Sequence, residues 1–432
     1  MNSVSAPLSF SSQARLLRGV LLVTLFVVGV FLRLPPTLFH SAPLSALSIL
    51  HPQPKFTGVG VDERLYSNYI DELRQVGLLA YPEITKKYIE RQKTGSAFLP
   101  PLRVSYILAG YYWQRLFGGE SLGSLRNVSA VASIFTLAIT AVFASRIASA
   151  CSALAITALM VFAPTQIHMS QHALIDGFFT LWAVLALWSL WECLRRPSAR
   201  SWLVVYACSL AALVLTKENA VFVWSGIVAI IVANIWLRVG VVRPALLLAT
   251  VLGPFAGVLG LVWFAGGVSS LVSAYHLFFT KSLELQYAIL KQDGPWDRYL
   301  LDLLLVSPVV FLLAIGSAAN LTTCKKVEWF FFIFITVTYV AMSSVRYGLN
   351  LRFGNIWDFP LRVLAVSQLF ALTAIVIRWR NAIVIIAIAM ICAAEFRNYI
   401  ILAVRYPLYD LVTTDLTRAL QIRKLPGDLP NR

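Results

Sequence analysis

The sequence predicts an all-α polytopic membrane protein: a bundle of about eleven transmembrane helices, with amphipathic juxtamembrane helices in its first outer loop. Three observations lead to this fold class. Of the 432 residues, 59% are apolar and 13% charged, whereas soluble domains carry about 25% charged residues. Mean hydropathy is +0.75. Apolar runs of about 20 residues, enough to span the hydrocarbon as a helix, recur along most of the chain. A water-soluble fold would have to bury an implausible share of such a sequence.

The formal net charge is +16. The basic residues fall mostly between apolar runs, a pattern that orients helices in a membrane and meets anionic lipids. No compact basic cluster is interleaved with aromatics, so nucleic acid is not an expected partner. The cysteines, Cys151, Cys193, Cys208, Cys324 and Cys392, form no CxxC pair. They read as small apolar side chains, not as disulfide or zinc ligands.

The elements follow in order. Arg15 and Arg18 precede the first apolar run, 19–34. No small-residue cleavage site follows it, so it reads as an uncleaved span leaving the cytoplasm. A long outer loop, about 40–101, carries Asp62, Glu63, Asp71, Glu72, Glu83 and Glu90. Its stretch 62–92 has helical periodicity but too many charges to cross, and is expected at the membrane surface. Apolar segments at 102–117, 122–145 and 149–164 come before Asp176 and a run ending near Trp191. The loop with Arg195, Arg196 and Arg200 should be cytoplasmic, which puts Asp176 outside. Parity then requires one of the three segments not to cross. Segment 102–117 is short, follows Pro100 and Pro101, and is flanked by Arg103 and Arg115, so it is the one expected to be embedded or interfacial. Later crossings alternate at 202–215, 220–237, 244–265, 299–320, 328–344, 360–377 and 382–394. A second long outer loop falls at about 267–298. The expected division is a membrane domain over 1–396 and an outer tail over 397–432. Arg346, Arg352, Arg397 and Arg405 are basic residues on the outer side, against the positive-inside rule. No internal repeat is evident.

Ionisable residues at membrane depth usually mark a site. Asp62 and Glu63 are adjacent acids, and either role is open to them: a general base or a divalent-cation site. Asp176 opens a span, where a helix also favours an acid in its first turn. His168 and His172 share a helical face, but without HExxH or a third ligand no metal is assigned to them. Lys217, Arg346 and Arg352 are suited to hold a phosphate, Arg in bidentate fashion. Acids from two loops plus such cations suit group transfer from a phosphate-linked donor.

The motifs resemble those of the GT-C glycosyltransferases, and most of all the protein O-mannosyltransferases and the bacterial aminoarabinose transferases that modify lipid A. Asp62-Glu63-Arg64-Leu65-Tyr66 with Arg74 and Gly77 is similar to their DExxY…R…G pattern. Pro100-Pro101-Leu102 resembles their PPL. Leu125-Arg126-Asn127-Val128-Ser129-Ala130 resembles their LRxxSA. Ala173-Leu174-Ile175-Asp176 is similar to their second acidic motif, and Leu215-Thr216-Lys217 to their LTK. Arg352 followed by Asp358-Phe359-Pro360 is similar to their late outer loop. The resemblance implies Asp62 as catalytic base or metal-binding aid, with Glu63 in support and Asp176 positioning acceptor or base. It implies Lys217, Arg346 and Arg352 at the lipid phosphate, with Tyr66, Arg103 and His172 completing the substrate-binding set. It further implies a polyprenyl-phosphate sugar donor and a lipid, glycan or protein acceptor. The enzyme would act on the periplasmic face of a bacterial inner membrane. Three departures stand out. The residue before PPL is Leu99, not Lys or His; the loop at 267–298 is too short for an extra domain; and no WWD motif is present. The rival reading is a transporter or lipid flippase, which would be expected to show repeat symmetry.

Overall fold

A computed structural model describes residues 12–39, 44–53, 60–95, 99–346, 348–375 and 378–422. Among these residues the structure is all-helical and contains no strand. The helices are α1 (Ser12–Arg33), α2 (Val61–Val76), α3 (Tyr81–Thr94), α4 (Val104–Phe117), α5 (Ser121–Ile147), α6 (Ala150–Val161), α7 (Pro164–Gln171), α8 (Ile175–Arg195) and α9 (Arg200–Thr216). There follow α10 (Ala220–Leu237), α11 (Pro244–Ala265), α12 (Val268–Ser282), α13 (Arg298–Val306), α14 (Pro308–Ala319), α15 (Lys326–Ser343), α16 (Asp358–Leu372), α17 (Arg380–Tyr399) and α18 (Thr413–Ala419).

Each expected crossing falls on a helix or a broken helix pair. Among the described residues seven helices, α1, α5, α8, α10, α11, α15 and α17 with its continuation, are long and apolar enough to cross a membrane. The pair α6–α7, bent by 47°, makes an eighth. The other expected crossings rest on α9, α13–α14 and α16, which are shorter, so a count of eleven goes beyond what helix length establishes. Two breaks have a common cause. Pro164 and Pro308 open α7 and α14, where a missing N–H is harmless, but neither can continue the helix before it.

The amphipathic stretch 62–92 forms α2 and α3, separated at Gly77, whose φ of +82° suits glycine. Helix α4, on the segment expected not to cross, stays beside α2 from end to end. Tyr106 meets Tyr66 edge to face at 5.3 Å. A Cβ on Gly110 would lie 2.5 Å from the Ile70 side chain. Just beyond α4, Ser121 Oγ donates to Asp71 at 2.5 Å. The loop at 267–298 opens with the helix α12, packed against α3 and α11. The expected boundary at 396 lies inside α17, which runs to Tyr399 and continues as a π-turn, Ile400–Arg405. The chain then folds back onto the bundle, where α18 packs on α13.

Large apolar side chains face outward along α1, α10, α11 and α17, among them Leu16, Trp236, Val251 and Ile385. Polar groups are inside, as expected where the surrounding solvent is hydrocarbon. One polar cluster centres on Arg362, which is fully buried. Its Nε donates to the Leu159 carbonyl at 2.9 Å, its Nη1 to Asp358 at 2.9 Å and its Nη2 to Glu395 at 2.5 Å. Ser307 also donates to Glu395, and Gln166 to Asp358. One guanidinium therefore joins α6, α16 and α17, with bonds reaching α7 and the α13–α14 break. Removing one partner of a buried charge cluster costs about 3–5 kcal/mol. Arg362→Ala is accordingly expected to lower the thermal unfolding midpoint in detergent well below that of the unaltered protein. An unchanged midpoint would contradict this account.

Candidate active site

At one end of the bundle a cavity of about 800 Å³ is lined by Asp62, Arg103, Asp176, Lys217, Glu218, Arg352 and Asp410, with an apolar wall of residues such as Phe222, Phe278 and Phe279. Local structure explains how each charged group arrives there. Asp62 and Asp176 sit in the first turns of α2 and α8, where the positive ends of the helix dipoles favour carboxylates. Arg103 immediately precedes α4, and Lys217 and Glu218 occupy the turn between α9 and α10. Arg352 lies in a 3-10 turn, Leu351–Trp357, that leads into α16, and Asn350 Oδ1 accepts the Arg352 N–H at 3.1 Å.

Arg352 is the hub. Its Nη2 donates to Asp62 at 2.7 Å, while Nε lies 3.6 Å from Asp176 and Nη1 3.4 Å from Asp410. Burial opposes its charge, but Asp62 and Asp176 outweigh that and raise its pKa. Lys217 Nζ donates to Asp176 at 2.6 Å and stands 3.8 Å from the centre of the Phe353 ring. Arg103 Nη2 donates to Glu218 at 2.6 Å. Burial would raise the pKa of Glu218, but Arg103 and Lys217 hold it below the usual carboxylate value. These buried cations and acids thus pair with one another.

The other expected site residues fall around this core. Tyr66 is fully buried behind Arg103, whose Nη1 donates to its hydroxyl. Arg346 lies on the cavity rim, exposed, 3.6 Å from Asp293. Glu63 and His172 do not line the cavity. Glu63 is fully buried: Oε2 accepts the Gly60 N–H at 3.0 Å and Oε1 the Ala173 N–H at 2.6 Å. It therefore joins the start of α2 to the turn before α8. His172 packs beside it, edge-on to Tyr409. Burial, Arg126 and Arg352 push its pKa down to about 3, so the ring is neutral.

Asp62 and Glu63 point to different partners and do not converge on a common cation. Among the described residues no three His, Cys, Asp or Glu side chains gather as metal ligands. At the point where Asp62, Asp176 and Asp410 approach one another, the Arg352 guanidinium supplies the positive charge.

The sequence motifs did not single out Tyr409 and Asp410. Both come from the tail. The Tyr409 ring lies over Gly60, where a Cβ would meet it at 2.0 Å. Asp410 accepts from Asn350 Nδ2 at 2.7 Å and from the Tyr287 hydroxyl. No local signal marks them, since their role depends on the tail's return to the bundle.

A profile of the dolichyl-phosphate-mannose-protein mannosyltransferase family matches residues 74–277, a little under half of the chain. No curated protein matches by sequence. Solved structures match in fold. ArnT from Cupriavidus metallidurans, bound to undecaprenyl phosphate, aligns with a TM-score of 0.50 at 13% identity, over 95% of this chain and 78% of that one. The Archaeoglobus fulgidus oligosaccharyltransferase with Zn and sulfate aligns with a TM-score of 0.57 at 14% identity, over 88% of this chain and 52% of that one. The same organism's oligosaccharyltransferase AglB, with an inhibitory peptide and a dolichol-phosphate, gives a TM-score of 0.52 at 14% identity, over 91% and 56%. This chain thus spans about half the length of the archaeal enzyme. The fold is that of the GT-C glycosyltransferases, and with the family match it indicates a membrane glycosyltransferase.

The placement of Glu63 makes a prediction. Glu63→Ala leaves the Gly60 and Ala173 N–H groups without their acceptor, at about 1–3 kcal/mol for each buried group. Thermal unfolding should show a clear loss of stability. Glu63→Gln, which keeps an acceptor oxygen, should lose less. Equal losses in the two variants would refute the assignment.

Proposed function

We propose that the chain transfers a sugar from a polyprenyl-phosphate-linked donor to an acceptor hydroxyl, on the periplasmic face of a bacterial inner membrane. The observation that carries this reading is the convergence of Asp62 and Asp176 on Arg352 at the polar end of a cavity whose remaining wall is apolar. A phosphate linked to a polyprenyl chain has this same division. The ligands named for the ArnT and AglB structures, undecaprenyl phosphate and dolichol-phosphate, are of that kind. The basic loops at 195–200 and 325–326, at the opposite end of the bundle, support this orientation through the positive-inside rule.

In this reading Asp62 takes the proton of the acceptor hydroxyl. The oxygen attacks the anomeric carbon as the bond from that carbon to the phosphate oxygen breaks, with inversion. The lipid phosphate leaves with the electron pair of that bond. Arg352, Lys217 and Arg103 stabilise the charge that develops on it, as preorganised donors do at low dielectric. Arg352 Nε and Nη1 face Asp176 and Asp410 at 3.6 and 3.4 Å without forming hydrogen bonds, and Arg103 Nε makes none, so these N–H groups retain donor capacity that a phosphate oxygen would satisfy. Asp176 positions Lys217 and Arg352.

Glycans and lipid-linked sugars from cells with the unaltered chain, with Asp62→Asn and without the chain can be compared by mass spectrometry. Loss of the general base should lower transfer by about 10²-fold or more at unchanged expression. Unchanged product would sink the assignment of Asp62. Lys217→Ala should weaken binding of undecaprenyl phosphate by about tenfold or more, the loss of one charge-assisted bond.

A further inference from the structure

We infer that Asp410, from the C-terminal tail, decides whether the cavity accepts an anionic phosphate. The inference rests on the phosphate-donor reading of the cavity. In the interior of the site three cations, Arg103, Lys217 and Arg352, face four carboxylates, Asp62, Asp176, Glu218 and Asp410. Arg346 does not alter this balance, because it is exposed at the rim beside Asp293. With all four acids ionised the interior is net negative and opposes a phosphate. One neutral carboxyl restores balance and leaves the guanidinium and ammonium groups to attract it.

Geometry identifies Asp410 as that acid. Asp62 and Asp176 each hold a close cation, at 2.7 and 2.6 Å, and Glu218 holds one at 2.6 Å. Asp410 has no cation of its own and only shares Arg352 with Asp62 and Asp176, at 3.4 Å. Its other partners, the Tyr287 hydroxyl and the Asn350 amide, are neutral. The remaining charges around it are mostly negative: Asp62 from α2, Asp176 from α8 and Asp415 from α18. Lys291 is engaged by Asp415 at 2.6 Å, and Lys217 by Asp176. Tyr409, next in the chain, and Tyr299 of α13 are both uncharged phenols near the same wall. Burial first, then Asp62, Asp415 and Asp176, push the Asp410 carboxyl up to about 7. Ionisation as pH rises through neutrality therefore adds a negative charge beside Arg352 and expels the anion.

The test is binding of undecaprenyl phosphate to the full-length protein in detergent from pH 6 to pH 8. The unaltered protein should bind more weakly as pH rises. Asp410→Asn, neutral and of the same shape, should lose that part of the dependence and bind about tenfold tighter than the unaltered protein at pH 8. Ionisation of the probe is common to all the proteins and cancels in the comparison. Tyr287→Phe removes a donor to the carboxylate, disfavours its charged form and should move the midpoint to higher pH. Parallel curves for Asp410→Asn and the unaltered protein would overturn the inference. So would uniformly weaker binding by Asp410→Asn, the mark of a structural role, or a Tyr287→Phe midpoint shifted downward. If the unaltered protein binds nothing at pH 6, the donor reading falls and this inference with it.

Discussion

One buried guanidinium organises the open end of this bundle. Arg352 meets carboxylates from α2, from α8 and from the C-terminal tail, segments up to hundreds of residues apart in the chain. Taking several charges out of water costs several kcal/mol each unless they are paired. Asp62 and Asp176 can be buried side by side only with a cation between them, and that cation can be buried there only because they surround it. The neighbouring pairs, Lys217 with Asp176 and Arg103 with Glu218, extend the same compensation around the polar end of the cavity.

The rest of the fold supports that hub. The buried cluster at Arg362 fixes the start of α16, and the 3-10 turn bearing Arg352 leads directly into that helix. Gln166 of α7 bridges the two regions, donating to Asp358 and to the Asn355 carbonyl. Glu63 joins α2 to the turn before α8, so both helix starts that deliver acids are set by one side chain. These contacts are made by groups that do not face the cavity. Their effect is to hold Asp62, Asp176 and Arg352 in register, which preorganisation for charge stabilisation requires.

The proposed chemistry follows from the contrast between the two parts of the cavity. Its polar end has charge but little net charge, and its wall is aromatic and aliphatic. Such a site discriminates by the balance of charge: it can take a phosphate with a hydrocarbon tail when its acids do not outnumber its cations. The tail segment carrying Tyr409 and Asp410 is therefore part of the site, although it lies beyond the last described helix long enough to span a membrane.

Much of this was legible in the sequence because lipid imposes a simple rule. Apolar runs must be helices that satisfy their own backbone, so the all-α class and the order of the elements follow from hydropathy alone. Asp62, Asp176, Arg103, Lys217 and Arg352 were legible as well, because charges beside apolar runs are rare and costly. Adjacency in the chain could not tell where each side chain points. Asp62 and Glu63 are neighbours, yet successive helical residues diverge by about 100°, so one enters the cavity and the other caps its helix. His172 and Tyr66 also lie behind the cavity lining, His172 beside Glu63 in the extended turn before α8 and Tyr66 beneath Arg103. The breaks at Pro164 and Pro308 have a local cause in proline, but the course of α4 beside α2 and the return of the tail were decided by packing. Asp410 shows the limit best: its partners Tyr287, Asn350 and Arg352 are all distant in sequence, and its charge is set by neighbours that only the folded chain brings together.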